Sequence, residues 1–256
     1  MRRLKLFLPA LFLLVLLGQS KACPTHIQSL CSCVDEQDGV LLNCTSTNPT
    51  QLLQVLKSSQ AELGLLKLLS IHHSQLQVLP ADFFSGLYIK RLELVEMGIE
   101  QVEGQAFAGL EPVLQELSLR GNRLKAMPIQ AISGLSSLLR LDLSSNEIEE
   151  LKAEDALPRF PKLFEIELSK NKISGMHKNF FDAVKGSLQT INLGHNQLME
   201  VPAPALRGFR QLMALHLHNN QLKTIAAMSF MNLPVLSLLN LASNKVFKIL
   251  LFEIPF

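Results

Sequence analysis

The chain has 256 residues, of which 48% are hydrophobic and 18% charged, with a formal net charge of +2. This composition is sufficient for a large buried core. The balanced charge, without a basic stripe, argues against nucleic acid as a partner.

Residues 1–22 have the pattern of a secretory signal peptide. Arg2, Arg3 and Lys5 precede an apolar run, and a small-residue sequence precedes Cys23. The apolar run covers about 12 residues, whereas a membrane-spanning helix needs about 20, so a membrane anchor is the less favoured interpretation. Cleavage removes four basic residues and leaves 20 basic against 22 acidic residues, a net charge of −2.

Residues 23–64 form a predicted N-terminal cap and connecting segment that contains all the cysteines: Cys23, Cys31, Cys33 and Cys44. An even, clustered set in a secreted chain indicates disulfides, and zinc is disfavoured because the spacing is not C-x₂-C. A Cys31–Cys33 bond would be too tight. Two pairings remain open: Cys23–Cys33 with Cys31–Cys44, or Cys23–Cys31 with Cys33–Cys44. A strand near 40–44 should cover the first repeat.

The cap also contains a glycosylation acceptor sequence. Asn43 is followed by Cys44 and Thr45, which makes an N-x-Ser/Thr sequon, whereas Asn48 is followed by Pro49 and makes none. Side chains alternate along a strand, so Asn43 should point outward if Cys44 points inward. Disulfide formation at Cys44 would compete with glycan transfer.

Residues 65–249 are interpreted as eight repeats of the template L-x-x-L-x-L-x-x-N-x-L with a period near 24. The Leu-x-Leu alternation predicts a short strand with one buried face. The amide of the template Asn can bond the backbone of the adjacent coil, which predicts a ladder of Asn122, Asn146, Asn171, Asn196, Asn220 and Asn244. Ser74 can replace this amide in part, but Met97 cannot, so the second repeat should be looser.

Further apolar positions recur in register, including Phe84, Phe107 and Phe181, and should form the core of the convex side. The predicted fold is an α/β solenoid: a horseshoe with a concave parallel sheet, short helical or 3₁₀ turns on the convex side, and a disulfide-bonded N-terminal cap. Residues 250–256 are an apolar tail without a cysteine cap. Truncation, a folded-back tail or a covering partner would each explain the uncapped end, and self-association through it is expected.

These repeats and the cysteine cluster resemble the extracellular leucine-rich-repeat proteins over residues 23 to about 249. The resemblance implies the pairing of Cys23 with Cys33 and of Cys31 with Cys44. Segments 89–92 and 109–117 resemble most the secreted repeat-only proteins of nematodes and arthropods, which implies a role in the apical extracellular matrix. The chain departs from the family pattern in lacking a cysteine-rich C-terminal cap.

The outward strand residues of the concave face are the candidate binding surface. Repeats two to five place arginines among carboxylates, and later repeats carry imidazoles; the candidate contacts are Arg91, Glu93, Glu116, Arg120, Arg140, Asp142, Glu165, Glu167, His216 and His218. One interpretation is a docking strip for a protein or matrix ligand. The alternative is a solvated face with weak salt bridges.

We expect no catalytic residues, cofactor or metal. No G-x-S-x-G, P-loop, H-E-x-x-H or nucleophilic cysteine is present in the sequence. Carboxylates such as Glu116 and Asp142 should lie on an open face where nothing desolvates them. Three imidazoles, those of His195, His216 and His218, should lie close together and are interpreted as surface histidines. The predicted function is a secreted, non-enzymatic scaffold or binding protein of the extracellular matrix or cell surface; the alternative is the recognition ectodomain of an immune or developmental receptor.

Overall fold

The computed structural model describes residues 23–249. The predicted signal peptide at 1–22 and the apolar tail at 250–256 lie outside the described residues. No helix within 23–249 is long and apolar enough to cross a membrane.

The N-terminal cap is a small disulfide-bonded unit. Helix α1 (Thr25–Gln28) leads into the antiparallel strands β1 (Ser32–Glu36) and β2 (Gly39–Thr45). The disulfides join Cys23 to Cys33 and Cys31 to Cys44. These bonds confirm the pairing that the family resemblance implied and exclude the other arrangement.

Two helices, α2 (Pro49–Ser58) and α3 (Gln60–Leu63), connect the cap to the first repeat. Helix α2 was not predicted from the sequence, although its start is marked. The Asn48 side chain accepts hydrogen bonds from the backbone N–H groups of Thr50 and Gln51, and Pro49 occupies the first helical position. Leucines at positions 52, 53 and 56 then bury one face of α2.

The concave face is one continuous sheet. Eight strands follow β2 in parallel, each contributed by one repeat: β3 (Leu65–His72), β4 (Arg91–Val95), β5 (Glu116–Ser118), β6 (Arg140–Asp142), β7 (Glu165–Glu167), β8 (Thr190–Asn192), β9 (Ala214–His216) and β10 (Leu238–Asn240). Their spatial order is their chain order, and β2 pairs directly with β3. A two-residue strand, Tyr88–Ile89, also pairs with the start of β3. The predicted fold class is therefore confirmed.

The convex side combines short turns with narrow ribbons. Helices α4 (Ile129–Ile132) and α5 (Ala203–Leu206) and a 3₁₀ turn at Asp182–Val184 match the predicted short turns. The parallel two-stranded ribbons were not predicted; they pair Val78–Leu79 with Gln101–Val102, Glu150–Leu151 with Gly175–Met176, and Thr224–Ile225 with Lys248–Ile249. They form because equivalent extended segments of neighbouring coils lie side by side in a solenoid.

The core is a stack of inward-facing leucines and a spine of phenylalanines. The inward strand residues, such as Leu117, Leu141 and Ile166, are almost completely buried. Phe84 stacks on Phe107 of the next coil with ring centroids 6.1 Å apart. Each coil therefore buries its apolar surface against its neighbours rather than within itself.

The six template asparagines join neighbouring coils through buried hydrogen bonds. Each is 4–7% exposed, apart from Asn244, which is partly buried in the last coil. Each side-chain NH₂ donates to a carbonyl of its own coil and to one of the preceding coil. Met97 has no such amide, but the Asn122 side chain accepts hydrogen bonds from the N–H groups of both Met97 and Ile99. The following repeat thus satisfies the backbone of the second repeat.

The last described coil exposes apolar side chains. Leu239, which occupies an inward strand position, is 39% exposed, and Leu238, Phe247 and Ile249 are 45%, 77% and 61% exposed. The expected self-association through this end stays a prediction.

Candidate functional site: the concave face

The parallel register lines up the outward side chains of the concave face in rows. The central row runs through Ser70, Glu93, Ser118, Asp142, Glu167, Asn192, His216 and Asn240. A second row contains Arg91, Glu116, Arg140 and Glu165. Neighbouring strands lie about 4.8 Å apart, so each charged residue can contact its equivalents in the flanking repeats.

The structure divides the predicted contacts into two groups. A groove with a volume of about 340 Å³ is lined by residues of repeats one to five, including all eight charged candidates from Arg91 to Glu167. We call this surface the concave strip. His216 and His218 do not line it; they lie with His195 further along the sheet.

Arg91 is held at the N-terminal end of the concave strip by two carboxylates. Its guanidinium lies 2.6 Å from Glu93 and 3.4 Å from Glu116. Glu93 also accepts a hydrogen bond of 2.6 Å from the Ser70 hydroxyl, which lies 2.6 Å from Nε2 of His72. This polar network links side chains 23 positions apart in the chain, and it was not predicted from the sequence.

Arg140 is fixed in the middle of the concave strip. Its Nε atom lies 3.1 Å from Glu165, and its guanidinium carbon lies 5.2 Å from the centroid of the Phe164 ring. Half of the Arg140 side chain remains exposed. Exposed ion pairs of this kind contribute about 0–1 kcal/mol to stability, so their main effect is to orient charged groups at the surface.

Glu167 differs from the other carboxylates of the concave strip. Burial raises the pKa of its carboxyl to about 7, and the negative charges of Asp142 and Glu165 contribute to this rise. A hydrogen bond of 3.1 Å from Asn192 acts in the opposite direction and lowers the pKa. The expectation that nothing desolvates these carboxylates is therefore wrong at Glu167. Its Oε1 atom is buried and has no hydrogen-bond partner within the described part of the chain.

Arg120 and Asp142 complete the concave strip. Asp142 accepts hydrogen bonds from the Ser118 hydroxyl at 3.1 Å and from the Ser144 N–H at 2.9 Å. Arg120 is exposed and forms no ion pair with another residue of 23–249. The concave strip thus contains one paired arginine at its N-terminal end, Arg91, and one in its middle, Arg140, and Arg120 between them is free to contact a ligand.

The three imidazoles do lie close together. The His218 ring centroid is 5.1 Å from that of His195 and 6.0 Å from that of His216, with the rings nearly perpendicular. His218 packs over Gly194, where a Cβ atom would clash with the ring. Burial lowers the pKa of His218, and the neighbouring imidazoles lower it further. Within residues 23–249, no group of three or more His, Cys, Asp or Glu side chains has a geometry that could hold a metal ion.

Asn43, the predicted glycosylation acceptor, lies on the cap strand β2. It is exposed, while its neighbour Cys44 is fully buried in the disulfide. In β2, Asn43 pairs with Ser70 of β3, so it belongs to the central row of the concave face.

A family model described as leucine rich repeat matches residues 112–173 and 186–246. Together with the parallel sheet and the disulfide-bonded cap, this match shows that the chain has the leucine-rich-repeat solenoid fold.

Among curated relatives, leucine-rich repeat-containing protein let-4 of Caenorhabditis elegans is 43% identical over 222 residues, covering 87% of this chain and 29% of let-4. Leucine-rich repeats and immunoglobulin-like domains protein 3 of Homo sapiens is 30% identical over 219 residues, covering 84% of this chain and 18% of that protein. Lumican of Coturnix japonica is 36% identical over 140 residues, covering 54% of this chain and 39% of lumican. The chain thus spans less than a third of the length of the first two relatives.

Two solved structures share the fold. One is the TLR13–ssRNA13 complex, with a TM-score of 0.69 and 26% identity, covering 77% of this chain and 27% of that chain. The other is the Toll–Spatzle complex, with a TM-score of 0.59 and 21% identity, covering 74% of this chain and 28% of that chain. The second likeness concerns the fold alone.

Proposed function

We propose that this chain is a secreted, non-enzymatic binding or scaffold protein of the extracellular matrix or cell surface, and that the concave strip docks a protein partner. The observation that carries this proposal is the half-buried strip of oriented charges, in which Arg120 is free of ion pairs within 23–249 and Glu167 has a buried oxygen without a donor. Arginine is enriched at protein interfaces and among the residues that contribute most to binding energy.

A protein partner fits the charge of the concave strip better than a nucleic acid does. The strip contains three arginines and five carboxylates, which would repel a phosphate backbone unless each phosphate met a free cation. The RNA in the TLR13–ssRNA13 complex is therefore a ligand of that protein and gives no reason to propose RNA here.

An extracellular location is supported by the cap. Two disulfides within the first described residues are stable in an oxidising compartment and rare in the cytosol. The similarity to lumican supports the finer proposal of an extracellular matrix protein.

Catalysis is disfavoured by the arrangement of the polar groups. Ser70 lies between His72 and Glu93, whereas a nucleophilic serine needs the histidine between itself and the carboxylate. Ser70 is also only 1% exposed, so no substrate could reach it. Glu167 has the raised pKa of a general acid, but the strip around it is open along its length and offers no oriented nucleophile.

The second candidate function is the recognition ectodomain of an immune or developmental receptor. The similarity to a human protein that combines leucine-rich repeats with immunoglobulin-like domains favours it, as does the fold shared with the TLR13 complex. The full-length transcript distinguishes the two functions, because a receptor transcript encodes a membrane anchor and the transcript of a secreted matrix protein does not. In either case His216 and His218 are proposed as an extension of the docking face.

The experiment compares two double variants with the same change in charge. Arg120→Glu with Arg140→Glu alters the concave strip, and Lys178→Glu with Arg207→Glu alters exposed residues on the convex coils. Each purified protein is titrated onto decellularised epithelial matrix and onto intact cells. We expect the concave variant to lose at least tenfold in affinity, about 1.4 kcal/mol, while the convex variant binds like the wild type. Equal binding of the two variants, or no saturable binding of the wild type, would contradict the proposal.

A further inference from the structure

The concave face begins on the cap, one strand before the first repeat. Asn43 lies between Ser32 of β1 and Ser70 of β3 in the sheet register. Two strand spacings, roughly 10 Å, separate Asn43 from Glu93, where the charged part of the concave strip starts. A group attached to Asn43 would therefore stand beside the docking surface rather than on a remote loop.

Asn43 combines a glycosylation sequon with an exposed side chain that makes no hydrogen bonds to the rest of the described chain. Asn43 and Thr45 are exposed, and neither side chain has a hydrogen-bond partner among residues 23–249. The template asparagines are buried, apart from the partly buried Asn244, and all of them form hydrogen bonds, while Asn48 caps α2. No other asparagine of the sequence is followed by a non-proline residue and then Ser or Thr. A glycan on Asn43 would cost the folded protein none of its hydrogen bonds.

The surface around Asn43 suits coverage by a glycan rather than by a charged partner. Leu41 and Leu68 pair across β2 and β3 as partly exposed outward residues, and Ser70 is 1% exposed. The sheet here offers no charged group on its central row before Glu93. Apart from His72, which lines the concave strip at its N-terminal end, the cap and the first repeat therefore add little to its docking chemistry.

We propose that Asn43 carries an N-linked glycan that stands over the cap and first repeat on the concave face and sets the N-terminal limit of the docking surface. The partner then contacts the face from repeat two onward. This inference rests on the secretion and on the concave docking proposed above.

Occupancy is measured on protein secreted from cultured animal cells. Intact mass before and after treatment with peptide N-glycosidase should show one glycan on the wild type and on Thr45→Ser, and none on Asn43→Gln or Thr45→Ala. Asn179→Gln, an exposed asparagine outside a sequon, should keep the shift. Secreted wild type without a mass shift overturns the inference, whereas failure of the wild type to reach the medium counts against the proposed function instead.

The position of the glycan is tested by the reactivity of arginines towards phenylglyoxal. Arg91 on the concave face is 49% exposed, and Arg123 outside it is 64% exposed. Glycosylated wild type should react several-fold more slowly at Arg91 than the Thr45→Ala protein does, with equal rates at Arg123. Equal rates at Arg91 in the two proteins would show that the glycan points away from the docking face, and the proposed limit would be abandoned.

Discussion

Replacement of Asn171 by alanine should destabilise the solenoid far more than the same change at Asn179. The Asn171 amide donates to the carbonyls of Leu143 and Leu168 at 3.0 and 3.1 Å, and its Oδ1 atom accepts the N–H of Ile148 at 3.0 Å. Both carbonyls keep a second bond from other ladder asparagines. The N–H of Ile148 has no other partner within the described chain, so the variant leaves one buried donor unsatisfied.

The expected loss follows from these contacts. An orphaned buried donor costs about 1–3 kcal/mol, and for a domain of 150–250 residues each kcal/mol lowers Tm by about 2–4 °C. We therefore expect Asn171→Ala to lower Tm by roughly 2–12 °C. Asn179 is exposed, so Asn179→Ala should stay within about 0.5 kcal/mol. Thermal unfolding followed by circular dichroism measures both, and equal melting temperatures would refute the proposed role of the ladder.

Three further predictions concern the cap and the two titrating groups. Cys44→Ser removes the Cys31–Cys44 disulfide and should lower the free energy of unfolding by about 2–5 kcal/mol. Denaturant unfolding measures this loss, and a denaturation midpoint equal to that of the wild type would contradict the prediction. The native pKa of Glu167, about 7, lies above its ordinary value of 4.5, so its protonated form favours folding and stability falls as pH rises from 4.5 to about 7. The free energy of unfolding of Glu167→Gln, relative to that of the wild type, should therefore increase between about pH 5 and pH 8. A difference that does not change with pH would count against desolvation of Glu167. The lowered pKa of His218 makes stability fall as pH drops below about 6.5. In Gly194→Ala the new Cβ should displace the ring and raise that pKa towards its ordinary value, as followed by NMR titration; an unchanged pKa would show that the packing on Gly194 is not its cause.

The sequence was sufficient to predict the repeat strands of the concave face, their register and the rows of side chains on that face. This was possible because the repeat places equivalent residues one coil apart, so that Glu93, Ser118 and Asp142 must become neighbours once a single strand is located. The ladder positions follow in the same way.

The sequence did not predict features that depend on side-chain contacts between residues at non-equivalent positions of the repeat. The Ser70–Glu93 hydrogen bond and the packing of Arg140 near Phe164 depend on side-chain rotamers, which no periodic pattern contains. Glu167 lies between Asn192 and Asp142 of the flanking strands, and the extent of its burial does not follow from the repeat pattern. Helix α2 was missed although Asn48-Pro49 marks its start.

Carboxylate footprinting of the wild-type protein, free and bound to decellularised matrix, tests most directly that the concave strip makes the contact. Glu116 and Glu165 lie in the strip with about a third of each side chain exposed, and Glu149 and Glu154 are exposed outside it. Carbodiimide labelling should fall several-fold on binding at Glu116 and Glu165 and stay constant at Glu149 and Glu154. Protection of Glu149 and Glu154 with unchanged labelling in the strip would show that the partner binds elsewhere, and concave docking would be wrong.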